Sequence, residues 1–202
     1  QKRMLDVYVR TLQKVQFLRG EAPVLYLSKE VTSHKRIPAL LSLFPEARFI
    51  VIVRPARDFM SSLTALMRMS TKSKTGIDPD DLPWWQDEFM SRMQDDSRRL
   101  VQLCQDVIPL SHQVRVSSNL FVSDPARAVA MAYEALGLPM HDEFAEHLAH
   151  LKKRQEQRQR GYDYSALSPQ GFDEYDAFVR EIDEAAVEPV VEHAGGRLGS
   201  PG

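Results

Sequence analysis

The sequence predicts an α/β fold with a mainly parallel sheet. Short apolar runs at Val24–Leu27, Arg48–Val53 and Val114–Val116 have the length of strands. The segments between them carry apolar residues at three- and four-residue spacings, the period of a helix with one buried face. The run Phe49 to Val53 is continuously apolar, as expected of a strand covered on both faces. Strands alternating with helices favour parallel pairing through helical crossovers.

The elements follow in order. Met4, Leu5, Tyr8, Val9, Leu12 and Val15 mark an opening helix that Gly20 stops. The Val24–Leu27 strand comes next, then a short helix from Arg36 to Phe44, ended by Pro45. Pro55 opens a helix at its first turn, where a missing N–H costs nothing. Phe59, Met60, Leu63, Leu66 and Met67 give that helix a broad apolar face. Ser70 to Pro83, polar and holding Gly76, Pro79 and Pro83, reads as a loop. A long helix spans about Trp84 to Val107, with Cys104 in its buried stripe. After the third strand, Asp124 and Pro125 cap and start a helix that runs to Leu136 and ends at Gly137. Helices over His141–Arg154 and Phe172–Ala186 complete the pattern. The expected organisation is one domain over 1–190 and a frayed tail over 191–202.

Composition narrows the function classes. The chain has 202 residues, 43% hydrophobic and 27% charged, with a formal net charge of -2. No overall basic character argues for nucleic acid, so any anion site must be local. A single cysteine excludes an intrachain disulfide and suits a reducing compartment. No apolar run approaches the roughly 20 residues of a membrane span, and no secretory pattern is visible. The expected location is the cytoplasm.

Ligands of parallel α/β sheets bind beyond the carboxyl ends of the strands. Two such ends are rich in polar chemistry. Ser28-Lys29-Glu30-Val31-Thr32-Ser33-His34-Lys35-Arg36 follows the first strand, bringing cations, a carboxylate, hydroxyls and an imidazole. Arg54 follows the second, with Ser62 eight positions on. An arginine fork with a hydroxyl suits a dianionic phosphate.

The residues Leu27-Ser28-Lys29, Arg36-Ile37, Ala39-Leu40-Leu41, Phe44-Pro45-Glu46-Ala47-Arg48-Phe49-Ile50 and Arg54 through Ser62 resemble the middle of bacterial sulfotransferases. Enzymes of that family use 3′-phosphoadenosine 5′-phosphosulfate (PAPS) as donor. The resemblance implies a three-layer fold similar to P-loop nucleotide kinases. It implies a catalytic role for Lys29 and 3′-phosphate binding by Arg54 and Ser62. A weaker resemblance covers Val114 to Leu120, Asp124-Pro125 and Leu136-Gly137-Leu138-Pro139, with Ser117-Ser118-Asn119 where relatives carry tyrosine-glutamate-aspartate. Arg158, Arg160, Tyr164 and Ser165 resemble the basic loop that closes over the donor.

Two departures qualify the picture. The family's first strand and phosphate loop have no counterpart here, which places them upstream of Gln1 and leaves the given chain without activity by itself. Many relatives carry a histidine four positions after the lysine; here that position is Ser33, and His34 follows. The implied reaction is transfer of a sulfuryl group to a hydroxyl or amine of a small-molecule, lipid or carbohydrate acceptor. Lys29 would stabilise the leaving phosphate oxygen, and His34 or Glu30 would take the acceptor's proton. The implied mechanism needs no metal.

Each residue also has a plainer reading. Lys29 and Glu30 would be solvated charges, and Arg54 a surface partner of Asp58. His34 would face solvent near a helix start. Arg158 and Arg160 would belong to a solvated basic helix end. His141, His147 and His150 lie off the apolar stripe of Phe144, Leu148 and Leu151, which speaks against a metal site. Trp84 and Trp85 suit an acceptor pocket or helix-start packing. Two rival functions remain: a nucleotide or small-molecule kinase on the same architecture, and a non-catalytic relative that keeps the fold.

Overall fold

The computed structural model describes residues 2–20, 26–29, 33–156 and 169–187. The chain divides into two compact units, residues 1–47 and 48–202.

In the first unit, helix α1 spans Lys2–Arg19. Gly20 ends it with a φ of 64°, a left-handed conformation that glycine adopts without steric cost. Burial raises the pKa of the Tyr8 hydroxyl on α1, against the lowering influence of Ser28. A 3₁₀ turn at Ser33–Lys35 leads into α2, Ile37–Leu43, with Pro38 in its first turn. The strand expected at Val24–Leu27 is not seen in its described half. Tyr26 and Leu27 are irregular and exposed, at 55% and 74%; Val24 and Leu25 lie outside the described residues. A strand exists only by pairing, and among the described residues this run has no ladder partner.

The second unit is built on two parallel strands, β1 (Phe49–Val53) and β2 (Gln113–Ser117), in register from Phe49 opposite Gln113 to Val53 opposite Ser117. Between them run α3 (Ala56–Thr75) and α4 (Trp85–Gln102). After β2 come α5 (Ser118–Ser123), α6 (Pro125–Ala135), α7 (Asp142–Glu156) and α8 (Asp173–Val187).

Side chains alternate across a sheet, and the register decides which residues share a face. Val51 and Val53 point into the main core with Met60 of α3, Val101 of α4 and Phe178, Val179 and Ile182 of α8. Val114 and Val116 point the other way, onto Ala128 and Ala132 of α6. Helices therefore lie on both faces, the expected α/β layering. The cover is incomplete. Ile50 and Ile52 belong to the α6 face, yet remain 37% and 51% exposed. The continuous apolar run of β1 thus has one face in the core and one open.

Two further expectations are corrected. The supposed loop from Ser70 begins as helix: α3 continues to Thr75 and ends at Gly76, whose φ of 73° is left-handed. Serine, threonine and lysine are tolerated on a helix's wet side, so polarity alone did not end it. The long helix to Val107 turns π-helical at Leu103–Val107. The carbonyl of Cys104 in this segment, and that of Ile108 just after it, accept from β2. Gln113 Nε2 donates to the carbonyls of Cys104 and Ile108, each at 2.7 Å, and Arg115 donates to that of Cys104 at 2.7 Å. The Arg115 guanidinium lies 5.2 Å over the Phe178 ring. Cys104 is fully buried, and burial pushes its thiol pKa up; it packs the core as expected.

Candidate functional site

The predicted site residues fall into three groups. Lys29 and His34 belong to the first unit. Lys29 is exposed in the irregular segment 26–29, beside Ser28. His34 is half-buried in the 3₁₀ turn. Arg54 and Ser62 belong to the second unit. Glu30, Arg158 and Arg160 lie outside the described residues, as do Tyr164 and Ser165.

Arg54 leaves the carboxyl end of β1 and is half-buried. Ser62 is the seventh residue of α3, so it stands about 9 Å along the helix axis from its start. Adjacent hydroxyls behave differently. Ser61 donates to the Arg57 carbonyl at 2.9 Å, back-bonding within its own helix. Among the described residues nothing hydrogen-bonds to Ser62 Oγ.

The turn that presents Arg54 has an unusual support. Pro55 occupies the N-cap of α3 and offers no side-chain cap. The first helical N–H, that of Ala56, donates instead to Asp176 Oδ1 at 2.8 Å, from the first turn of α8. The neighbouring Tyr175 hydroxyl donates to the Arg54 carbonyl at 3.0 Å and accepts from the Arg54 N–H at 3.4 Å. Tyr175 is buried, and burial pushes its pKa up to about 12. Its ring meets that of Phe59 edge-on at 5.6 Å. The sequence reading missed both residues. The one signal available was a proline at a helix start, which leaves a first N–H for some remote group to satisfy.

The neighbouring strand end, after β2, is capped locally: Ser117 Oγ accepts from the Asn119 N–H at 3.0 Å. Asn119 Nδ2 reaches Asp183 of α8 at 3.3 Å. Farther along, Arg48 donates to the Leu136 carbonyl at the end of α6, and Asp124 caps α6 by accepting from the Arg127 N–H at 3.1 Å.

Trp85 is buried and stacked on Phe89 at 5.0 Å, while Trp84 is exposed. His141, His147 and His150 are exposed, opposite buried Leu148. Among the described residues, no three His, Cys, Asp or Glu side chains converge on a metal-sized site. No described helix is long and apolar enough to cross a membrane.

A parallel α/β unit with its polar candidates at strand carboxyl ends defines a broad class of transferases and nucleotide-binding proteins. The chain belongs to the sulfotransferase family, whose model matches residues 2–142. Sulfuryl transfer is the chemistry of that family. The match includes Lys29, Arg54 and Ser62 and stops short of α8. No curated protein and no solved structure matches the chain.

Proposed function

We propose that the protein transfers a sulfuryl group from PAPS to an acceptor hydroxyl or amine, on a small molecule, lipid or carbohydrate. What supports this reading is the position of Arg54 at the carboxyl end of β1 and of Ser62 on the helix that follows, its hydroxyl without a hydrogen bond among the described residues. Both lie inside the segment matched to the family. The donor supplies an activated sulfuryl group. Arg54 offers a charged, forked donor to its 3′-phosphate, and Ser62 adds a hydroxyl.

Lys29 neutralises the charge that develops on the leaving phosphate oxygen. His34 accepts the acceptor's proton, with Glu30 the alternative base. Arg158 and Arg160 add cations over the donor. Residues 1–190 belong to one sulfotransferase-like domain, read as cytoplasmic.

Turnover and binding separate these roles. Lys29→Ala is expected to lower turnover about 10²–10³-fold, while calorimetric affinity for 3′-phosphoadenosine 5′-phosphate largely survives. Unchanged turnover would refute the role of Lys29. Removal of the base should cost about 10²–10⁴-fold, so His34→Ala and Glu30→Gln identify which residue carries it. Tight binding of ATP with magnesium, indifferent to a 3′-phosphate, would point to a kinase. Donor binding without transfer to any acceptor would point to a non-catalytic relative.

A further inference from the structure

We infer that Tyr175 and Asp176 are positioning residues for Arg54, fixing from α8 the backbone that aims its guanidinium at the donor's 3′-phosphate. This rests on the reading of Arg54 as the 3′-phosphate ligand.

The contacts fall on backbone atoms flanking one side chain. Tyr175 Oη engages both the N–H and the carbonyl of Arg54, and Asp176 takes the N–H of Ala56 two residues on. The peptide groups on either side of the Arg54 Cα are thereby tied to α8. Pro55 between them has a φ of -49° and no N–H to offer. A rotation at this Cα would be carried outward along the whole arginine side chain, so holding it fixed limits where the guanidinium can go. Packing alone does not require these polar atoms. A phenylalanine would fill the space of Tyr175 equally well.

The clamp is itself anchored. Phe172 and Tyr175 both meet the Phe59 ring edge-on, at 5.8 and 5.6 Å. The turn before α8 is pinned by Gln94, whose Nε2 donates to the Gln170 carbonyl at 2.9 Å. That turn passes through Gly171 at a φ of 76°, where a Cβ would come within 2.7 Å of Gln94 Nε2. Asp176 also lies in the acidic first turn of α8. One carboxylate therefore serves the positive ends of two helices.

The test is calorimetry on the full-length protein with two probes, 3′-phosphoadenosine 5′-phosphate and adenosine 5′-monophosphate. Their affinity ratio reads the 3′-phosphate contact alone. Tyr175→Phe is expected to lower the ratio about 3–10-fold, the size of one lost hydrogen bond, with monophosphate affinity unchanged. Asp176→Ala should lower it similarly, and Asp176→Asn, which keeps an acceptor oxygen, should restore it. In an Arg54→Ala background, Tyr175→Phe should have no further effect on the ratio. A merely structural role would lower the melting temperature and weaken both ligands equally. If Arg54→Ala collapses the ratio while Tyr175→Phe leaves it intact, the positioning role is wrong and the Arg54 reading survives. If Arg54→Ala leaves the ratio unchanged, both fall.

Discussion

Two adjacent strand ends in the second unit solve the same problem in different ways. Both β1 and β2 run into a helix, and Val53 stands opposite Ser117 in the ladder. After β2, the helix start is capped by its own residue, with Ser117 Oγ on the Asn119 N–H. After β1, the start carries Pro55 and is capped by Asp176, 120 positions away. A local cap folds with its helix. A remote cap forms only once α8 has docked. The cap of the β1–α3 turn, where Arg54 sits, thus reports the tertiary structure. The family match ends at residue 142, so the support for Arg54 comes from a part of the chain outside it.

The contrast can be broken or sharpened by substitution. The largest effect is expected at Arg54. Loss of a charge-assisted contact should cost about 10–100-fold in affinity for 3′-phosphoadenosine 5′-phosphate, measured by titration. A smaller effect separates the two caps. Ser117→Ala should cost about 1 kcal/mol in denaturant unfolding and leave 3′-phosphate discrimination alone. Asp176→Ala should cost a similar amount and reduce discrimination. Equal effects of the two substitutions on ligand binding would erase the distinction.

A further effect is one of pH. The pKa of Tyr175 is raised to about 12 from an ordinary 10.0, chiefly because burial disfavours the tyrosinate. The folded state therefore keeps this proton more tightly than the unfolded chain. Its stabilising contribution is complete below pH 10 and is lost as pH rises toward 12, by roughly 2–3 kcal/mol. Unfolding measured across pH 9–12 should show a shallower alkaline decline for Tyr175→Phe. Identical slopes would mean that Tyr175 ionises as readily folded as unfolded.

Much of this architecture was legible in the sequence. Helical periodicity placed α1, α4 and α7, cap and stop residues placed α6, and the apolar runs placed β1 and β2; α8 was also expected at its observed place. The cap and stop residues Asp124, Gly20 and Gly137 take the roles expected of them. These are local signals, set by neighbours within a turn or two. What escaped depended on distant partners. The Tyr26–Leu27 run has strand propensity but no described ladder to join. In the π turn at Leu103–Val107, the Cys104 carbonyl is satisfied by Gln113 and Arg115 from β2. The exposure of Ile50 and Ile52 is set by what packs on their face of the sheet, which periodicity cannot state. The candidate site divides in the same way. Lys29, Arg54 and Ser62 were visible as a motif, whereas Tyr175 and Asp176 acquire meaning only through their contacts with Arg54 and Ala56.

The central claim is that Arg54 recognises a 3′-phosphate. Its most direct test compares 3′-phosphoadenosine 5′-phosphate with adenosine 5′-monophosphate by calorimetry, in the wild-type protein and in Arg54→Ala. The wild type should bind the 3′-phosphorylated ligand at least about 10-fold more tightly, and Arg54→Ala should bind the two nearly alike. Equal affinities in the wild type, or a preference that persists without Arg54, would contradict the claim.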